Sequence, residues 1–407
     1  MLDTIFADLD GRRESVIDLQ RRLTAIPALG PDNKGDGERA KADFCIEYLR
    51  GLGFTDIREY NAPDARVSCG HRPNIAAVLP GKDPTRTFWV ISHLDIVPPG
   101  DLSLWRTDPY ALHVDGDMII GRGVEDNQQG MVSSAMLAAA LLKENIVPPI
   151  NLGLLFVSDE ETGSKYGLDF LAANHPGLFG KNDLILVPDF GEFSSEMVEV
   201  AEKSMYWLKV IVNGKQCHAS TPEHGVNTLV ASAAMILKIR GLYDAFGAQD
   251  PLFEPPCSTF EPTMKEANVQ NVNTIPGRDV FYVDCRVLPQ YDLSDVLEAV
   301  KAIGRDVEKE YGVTVSYEDV QREQAAPPTS PDSPVVKKLI AAIRETYGNN
   351  PRAVGIGGGT VAAFLRRRGL DAVVWCTCIH NAHQPNERSS LTKTLGDAKV
   401  MARVLFS

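Results

Sequence analysis

The chain has 407 residues, a length that favours two domains over one hydrophobic core. Its hydrophobic fraction of 44% and its charged fraction of 23% are typical of a soluble globular protein. The net charge of -13 argues against binding to nucleic acid or to anionic membranes.

The N-terminal sequence and the cysteines favour a cytoplasmic protein. The first stretch, MLDTIFADLDGRRESV, has no basic segment followed by an apolar one, so we expect no signal peptide. No apolar stretch approaches the length of a membrane span. The seven cysteines are odd in number and scattered, which favours reduced thiols. Cys376 and Cys378 could form a metal-binding pair, but alternate positions of a buried strand fit them better.

The first half of the chain alternates helical and strand patterns. Apolar residues at helical spacing between 16 and 26 predict an early helix. Apolar runs at 88–91, 152–157 and 184–187 predict buried strands, and the Ala- and Leu-rich segment 128–145 predicts a helix between the first two. Strands that alternate with helices indicate a mostly parallel sheet flanked by helices.

The pattern changes near residue 203. Alternating strands are predicted at 204–214, 280–287 and 313–317, with amphipathic helices at 226–240 and 293–310. This arrangement is typical of a small α+β domain, an open antiparallel sheet with helices on one face.

From about residue 320 the first pattern returns. Ser333 and Pro334 start a predicted helix, and AVVWCTC (372–378) is another predicted buried strand. The simplest interpretation is a discontinuous α/β domain formed by 1–202 and 319–407, with the α+β domain inserted at 203–318.

Each predicted buried strand of the α/β domain ends in ionisable residues. In open α/β sheets, ligands bind beyond the carboxyl ends of the strands. A single carboxylate there is commonly a helix N-cap, but many together would repel one another and would be costly to desolvate. A divalent cation resolves that conflict, and imidazole with carboxylate suits zinc. The residues concerned are His93, Asp95, Asp126, Asp159, Glu160, Glu161, Asp189, His380 and His383.

Six motifs, in order along nearly the whole chain, resemble a known family. They are SHLDIVP, GRGVEDNQQG, VSDEETGS, GKQCHASTPEHGVN, NTIPG and NAHQPNE. The chain resembles the co-catalytic di-zinc amidohydrolases, which include carboxypeptidase G, aminoacylase, succinyl-diaminopimelate desuccinylase, acetylornithine deacetylase and carnosinase-like dipeptidases. A match to one such motif is weak evidence for the family, whereas matches to six motifs in family order are highly specific. The resemblance implies a zinc exopeptidase-like catalytic domain and an inserted lid and dimerisation domain.

The resemblance also implies a site for two divalent metal ions, zinc by preference, with cobalt or manganese as alternatives. Asp126 would bridge the ions, with one carboxylate oxygen on each. His93 and Asp189 would complete one metal site, and Glu161 and His383 would complete the other.

Two further acidic residues have implied roles in catalysis. Asp95 would accept a hydrogen bond from His93 and orient its ring. Glu160 would act as general base, taking a proton from the attacking water and returning it to the leaving nitrogen. The alternative for the pair Glu160 and Glu161 is a solvated acidic turn.

In the inserted domain, His218 matches a family histidine that reaches the active site, usually that of the partner subunit in a homodimer. There it would polarise the scissile carbonyl and stabilise the oxyanion. The alternative is a solvent-exposed loop histidine. His224 matches no such position, and we interpret it as a surface residue.

The implied substrate carries a free carboxylate. Asn273 and Arg286 match positions that hold this group, and arginine offers a bidentate fork for it. The motif GIGGGT resembles a turn whose backbone N–H groups face the same carboxylate, at Gly358, Gly359 and Thr360. It does not fit a phosphate loop, because no lysine follows the glycines.

Two departures from the family pattern bear on specificity. After Asp126, Asn127, Gln128 and Gln129 stand where the family usually has a hydrophobic residue or Asp, then Lys, then Gly. The missing lysine is not a ligand, so metal binding is expected to persist. Asp189, rather than Glu, resembles the peptidase and carboxypeptidase side of the family more than the desuccinylase side.

The leading hypothesis is metal-dependent hydrolysis of an amide bond in a small peptide or N-acyl amino acid. An alternative within the same chemistry is a deacylase such as a desuccinylase or acetylornithine deacetylase-like enzyme. A non-catalytic binding protein on the same fold is disfavoured, because every ligand and base position is filled. Metal-free glycoside hydrolysis by Glu160 and a second carboxylate is disfavoured by the histidines at the strand ends.

Overall fold

The computed structural model describes residues 1–407 and contains 17 strands and 11 α-helices. The strands are β1 (Asp56–Pro63), β2 (His71–Leu79), β3 (Asp83–His93), β4 (His113–Asp115), β5 (Met118–Ile120), β6 (Ile150–Val157), β7 (Leu184–Gly191), β8 (Met197–Glu202), β9 (Ser204–Asn213), β10 (Cys217–His218), β11 (Thr259–Lys265), β12 (Thr274–Ile275), β13 (Arg278–Val287), β14 (Thr314–Glu323), β15 (Arg352–Ile356), β16 (Ala372–Cys376) and β17 (Arg388–Ser390). The helices are α1 (Leu2–Asp10), α2 (Arg13–Thr24), α3 (Arg39–Leu52), α4 (Gln128–Lys143), α5 (Leu168–Asn174), α6 (Thr228–Ile239), α7 (Leu242–Ala245), α8 (Leu293–Tyr311), α9 (Pro334–Tyr347), α10 (Ala362–Arg366) and α11 (Leu391–Phe406).

The largest element is an eight-stranded sheet with the order β1-β2-β6-β3-β7-β16-β8-β15. Its four central strands, β6, β3, β7 and β16, are parallel to one another. Strands β1, β2 and β8 pair antiparallel towards the two edges. The predicted mostly parallel sheet is therefore confirmed in its centre, where both faces are covered by helices and the strands are apolar throughout.

Burial explains why the central strands and α4 lack an amphipathic pattern. All eight residues of β6 are buried, and so are 14 of the 16 residues of α4. Helix α4 packs on β3 and β6 and is covered in turn by α1, α2 and α11. A helix that is apolar all round needs neighbours on every side, and these elements provide them. None of the helices combines the length and apolarity that crossing a bilayer requires.

The parallel strands bring their carboxyl ends to one edge of the sheet. Strand β3 ends at His93, β6 ends just before Asp159, and β7 contains Asp189 near its end. Strand β16 ends at Cys376, and the loop that follows carries His383. Cys376 and Cys378 are both buried, and their sulfur atoms are 2.9 Å apart.

Two compact units are formed by the chain. Unit 1 comprises residues 1–200, 329–353 and 364–407, and unit 2 comprises 201–328 and 354–363. The segment 354–363, which contains the glycine-rich motif, groups with unit 2, whereas the sequence placed it in the last part of the α/β domain.

Unit 2 contains a four-stranded antiparallel sheet with the order β11-β13-β9-β14. Helices α6 and α8 pack against one face of this sheet. The alternating pattern of β9 and β13 produces this arrangement, because every second side chain enters the core while Trp207 on β9 stays 38% exposed. The core residues from these strands are Tyr206, Leu208, Val210, Val212, Phe281, Val283, Cys285 and Val287. The predicted inserted α+β fold is confirmed.

A glycine in β6 offers a test of the packing of the central sheet. A Cβ atom at Gly153 would lie 2.6 Å from Cζ3 of Trp89, which is buried and held by a hydrogen bond from Nε1 to Asp183. Because the indole cannot move freely, we expect Gly153→Ala to destabilise the protein by about 1–3 kcal/mol. The unfolding midpoint in urea or on heating measures this change.

The matched control for this prediction is Gly51→Ala in α3. No atom lies within 4 Å of the new Cβ there. Alanine favours a helix over glycine by about 1 kcal/mol, so this variant should unfold at the same or a higher midpoint. Equal midpoints for Gly153→Ala and wild type would show that the Trp89 contact is not tight.

Candidate active site

His93 lies at the end of β3 and is 3% exposed. Its Nδ1 atom donates to the backbone carbonyl of Asp95 at 2.9 Å. Its Nε2 atom lies 2.8 Å from Oδ1 of Asp126 and 3.4 Å from Oδ1 of Asp189. The carbonyl of Asp95 thus fixes the ring so that Nε2 faces two carboxylates.

A second histidine faces the other oxygen of the same aspartate. Nε2 of His383 lies 3.1 Å from Oδ2 of Asp126 and 3.0 Å from Oε2 of Glu161. Two groups of three ligand atoms therefore share Asp126, one with His93 and Asp189 and one with Glu161 and His383, and within each group the atoms lie within 4.8 Å of one another. The structure brings together all five residues that the resemblance names as metal ligands.

The donor atoms fit divalent cations. Each group offers one imidazole nitrogen and two carboxylate oxygens, which is the ligand chemistry of zinc and similar ions. Oε1 of Glu161 is buried and has no hydrogen-bond partner within the protein. A buried carboxylate oxygen without a donor is costly, and a cation at this position would satisfy it.

Without bound cations, protons on the histidines would offset the charge of these carboxylates. The hydrogen bonds to Asp126 and Glu161 raise the pKa of His383 to about 10. Burial alone would lower the pKa of His93, but the charge of Asp189 and the hydrogen bond to Asp126 raise it well above its usual range. Burial would raise the pKa of Asp126, but the hydrogen bonds from His383 and His93 lower it.

The carboxylate of Asp95 has partners in addition to the one expected. Its nearer oxygen is 3.6 Å from Nδ1 of His93, because the ring donates to the backbone carbonyl instead. The two carboxylate oxygens accept hydrogen bonds from the backbone N–H groups of Glu160 and Glu161, at 3.1 and 3.0 Å. The carboxylate therefore holds the turn that follows β6, and its expected role in orienting His93 stays a prediction.

Glu160 lies in that turn, half-buried beside the ligand groups. The preceding residue, Asp159, has a left-handed backbone with φ of 65°, and its carboxylate accepts from the N–H of Tyr166 at 3.0 Å. Burial and the neighbouring charge of Asp189 raise the pKa of Glu160 well above its usual range. The turn is therefore not a solvated acidic turn, since its carboxylates are drawn into the site.

Three residues near the ligands were given no role by the sequence. Asn127 donates from Nδ2 to Oδ1 of Asp189 at 2.5 Å and to the carbonyl of Pro188 at 2.8 Å. Glu125 and Glu387 are buried and accept hydrogen bonds from backbone groups of the ligand-bearing loops. All three lie inside the recognised motifs: Glu125 and Asn127 flank Asp126, and Glu387 follows His383 by four positions.

In unit 2, His218 and Asn273 are brought together. Strand β10, which contains His218, pairs with β12, which follows Asn273, and the carbonyl of Asn273 accepts from the N–H of Ala219 at 2.9 Å. His218 is exposed, and its Nδ1 accepts hydrogen bonds from the N–H and Oγ of Ser220 at 3.1 and 2.8 Å. This leaves Nε2 as the nitrogen that carries the proton and that can donate to a ligand.

Arg286 is held next to the glycine-rich motif within unit 2. Its Nη1 donates to the carbonyl of Gly357 at 2.9 Å, and its Nε and Nη2 donate to Asp284 at 2.7 and 3.0 Å. The N–H of Thr360 donates to Glu202 at 3.0 Å. The fork of Arg286 and this N–H thus already have protein partners, while Gly358 and Gly359 have open space around them.

Comparison with known proteins gives a family match over most of the chain. The sequence profile of "Peptidase family M20/M25/M40" matches residues 89–407. An uncharacterized metallohydrolase of Methanococcus maripaludis is 40% identical, over 96% of this chain and 99% of that protein. Succinyl-diaminopimelate desuccinylase of Nitratiruptor sp. is 28% identical, over 92% of this chain and 94% of that protein.

Solved structures share the fold over the whole chain. Human carnosine dipeptidase 1 aligns with a TM-score of 0.73 and 18% identity, covering 100% of this chain and 98% of that one. Aminopeptidase PepT from Bacillus cereus aligns with a TM-score of 0.76 and 19% identity, covering 97% and 98%. The resemblance drawn from the six motifs is confirmed.

The protonated histidines predict that metal binding releases protons. The raised pKa values predict that both His93 and His383 hold the second proton at pH 7, and each would have to lose it before Nε2 could bind a cation. We expect zinc loading at pH 7 to release roughly two or more protons per chain, and zinc affinity to rise as the pH rises towards 10. Calorimetric titration in two buffers of different ionisation enthalpy measures the number.

Two variants sharpen this measurement. His383→Ala should release about one proton fewer, because one protonated ligand is gone. His113→Ala, which replaces an exposed histidine of unit 1, should leave the number unchanged. Zinc binding with heats that do not depend on the buffer would contradict the protonation states given above.

Proposed function

The chain belongs to peptidase family M20/M25/M40, a family of metallohydrolases, and we propose that it hydrolyses an amide bond in a small peptide or N-acyl amino acid with a free carboxylate. The reaction would depend on two divalent metal ions, zinc by preference. We also propose a cytoplasmic location, in keeping with seven free cysteines.

One observation carries the proposal: the two oxygens of Asp126 face two different histidines. Oδ1 lies 2.8 Å from His93 and Oδ2 lies 3.1 Å from His383. A carboxylate that faces one imidazole on each side is placed to bridge two cations. With Asp189 and Glu161 added, each ion would have three protein ligands, which leaves room for water or substrate.

In the proposed mechanism, Glu160 is the residue that moves protons. When bound, the two ions would polarise the scissile carbonyl and lower the pKa of the attacking water. The carboxylate of Glu160 takes a proton from that water and delivers it to the leaving nitrogen. The hydrogen bonds from Glu160 and Glu161 N–H groups to Asp95 hold the turn, so that one glutamate ligates while its neighbour stays free.

The substrate's carboxylate is assigned to residues of unit 2. Gly358 and Gly359 would offer their backbone N–H groups, and Arg286 lies against the same segment through Gly357. Asp284 neutralises part of the charge of Arg286, so this arginine would contribute through the remaining N–H groups of its fork. Asn273 and Thr360 complete the proposed set.

A deacylase is the second candidate function. The 28% identity with a succinyl-diaminopimelate desuccinylase, over nearly the full length of both chains, supports it. Asp189 in place of glutamate favours the peptidase instead. Both candidates use the same metal centre and the same base, so they differ in the acyl group that the site accepts.

We further propose a homodimer formed through the inserted domain. Helix α6 of unit 2 presents apolar side chains to solvent, among them Leu229, Val230 and Leu237, the last of which is 71% exposed. A face of this kind is typical of an interaction surface. In such a dimer His218 would serve the active site of the partner subunit, where its Nε2–H would stabilise the developing oxyanion.

The function is tested with a panel of dipeptides and N-acyl amino acids on zinc-loaded protein. We expect Glu160→Ala to lower the turnover of the best substrate by on the order of a hundredfold to ten-thousandfold. Because Glu160 is the base and not a ligand, metal analysis of this variant should still find about two ions per chain.

The neighbouring residue provides the matched control. Glu161→Ala removes a proposed ligand, so this variant should lose both metal and activity. A Glu160→Ala protein that keeps half of the wild-type activity would refute the assignment of the base. A wild-type protein that turns over no member of the panel would refute the proposed substrate class.

The role of His218 is tested by mixing two inactive variants. Co-expression of His218→Ala with Glu160→Ala yields mixed dimers in which one site carries both substitutions and the other carries neither, if the histidine acts across the interface. Statistical mixing then returns roughly a quarter of the wild-type activity. A histidine that acts within its own chain leaves a defect in every site, and no activity returns.

The control for this experiment is the pair Glu160→Ala and Glu161→Ala. Both substitutions affect the metal site of the same chain, so co-expression should return no activity. Full activity of His218→Ala on its own would contradict any catalytic role for this residue.

A further inference from the structure

We propose that Glu125 and Glu387 are a reciprocal pair of positioning residues. Each holds the loop that carries the metal ligand closest in sequence to the other glutamate. Glu125 stands beside Asp126 but holds the loop of His383. Glu387 stands in the chain beyond His383 but holds the loop of Asp126. The inference rests on the proposed metal-dependent function and names the residues that fix the geometry of its metal centre.

Glu387 fixes the segment that leads to the bridging aspartate. Its Oε1 accepts from the backbone N–H groups of Glu125 and Asp126 at 2.9 and 3.1 Å. Its Oε2 accepts from the N–H of Gly123 at 3.0 Å and from Nη1 of Arg122 at 2.6 Å. The side chain is 1% exposed, so water does not compete for these bonds.

Glu125 fixes the segment that leads to His383. Its Oε2 accepts from the backbone N–H of Asn381 at 2.9 Å and from Nδ2 of the same residue at 3.1 Å. Its Oε1 accepts from the backbone N–H of Ile379. This side chain is 5% exposed. Both carboxylate oxygens of each glutamate therefore accept hydrogen bonds from the backbone of the opposite segment.

Neither segment has regular secondary structure to hold it. Residues 121–127 lie between β5 and α4, and residues 377–387 lie between β16 and β17. His383 has a left-handed backbone with φ of 63°, a conformation that a residue with a Cβ keeps only when its surroundings enforce it. Charge-assisted hydrogen bonds from the loop to a buried carboxylate supply that enforcement.

The two glutamates should affect the two metal sites differently. His383 belongs only to the site with Glu161, so loosening its loop weakens one site. Asp126 belongs to both sites, so loosening its segment weakens both. A side chain that merely stabilised the fold would produce no such difference between the sites.

The test is zinc affinity measured by competition with a chromophoric chelator, on folded full-length protein, resolving two dissociation constants. In Glu125→Gln one constant should rise by about tenfold to a hundredfold and the other should change little. In Glu387→Gln both constants should rise by about that factor. The amide keeps the size of the side chain. It replaces one acceptor oxygen by an NH2 donor, which faces the backbone N–H groups that donated to the carboxylate.

The matched control is Glu199→Gln. Glu199 is also a fully buried carboxylate of unit 1, lies in β8 and is paired with Arg366 at 2.8 Å. This variant should unfold at a lower temperature with both zinc constants as in wild type. Wild-type constants in Glu125→Gln and Glu387→Gln, or equal weakening in Glu199→Gln, would overturn the proposal.

These measurements need no substrate, so the inference and the proposed function fail separately. A wild-type protein that binds two zinc ions but hydrolyses no tested amide refutes the proposed function, and the variant constants still decide the inference. A wild-type protein that binds no zinc overturns the inference as well. The absorption spectrum of the cobalt-loaded variants gives a second readout of ligand geometry at each site.

Discussion

The mutual repulsion of carboxylates at one edge of the central sheet is the constraint on which this structure depends. The ligand oxygens of Asp126, Asp189 and Glu161 lie in two groups that share Asp126. Within each group the ligand atoms are within 4.8 Å of one another. At that separation and an effective dielectric constant near 20, each pair of like charges repels by on the order of 3 kcal/mol. Positive charge must compensate, as protons on two histidines or as the cations we propose.

The negative charge behind this repulsion explains why so many neighbouring groups are hydrogen-bond donors. Backbone N–H groups face Asp95, Glu125 and Glu387, and each of these carboxylates is buried and satisfied on both oxygens. The outer carboxylates thus add negative charge to the region while they fix the loops from which the inner ligands project. The rigidity of the centre comes from these hydrogen bonds, because the loops have no sheet or helix of their own.

The residues proposed for catalysis and for substrate binding are distributed over the two units. Unit 1 provides every proposed metal ligand and the general base. The ends of parallel strands place His93, Asp189, Glu160 and Glu161, whereas the loops after β5 and β16 place Asp126 and His383. Unit 2 provides His218, Arg286 and the glycine-rich motif, placed by an antiparallel sheet and its connections. The segment 354–363 joins unit 2 although its neighbours on both sides belong to unit 1, so the proposed carboxylate-binding residues stay together in one compact unit.

The sequence by itself determined the architecture and the composition of the site. Apolar runs such as 152–157 predict buried strands, and an ionisable residue at the end of each such strand is expected at the common edge of a parallel sheet. Six motifs in family order then identified His93, Asp126, Glu161, Asp189 and His383 as a set. These features depend on periodicity and on local order along the chain, both of which are visible in the sequence.

Only the tertiary structure decided which partner each polar group has. The carboxylate of Asp95 accepts from the turn of Glu160, and the backbone carbonyl of the same residue is the group nearest to Nδ1 of His93. Glu125 and Ile379 are 254 positions apart, and Glu387 and Glu125 are 262 apart. Hydrogen bonds over such separations depend on the pairing of β17 with β5 in a separate three-stranded sheet, which brings the loops after β5 and β16 together, and no local pattern encodes that meeting.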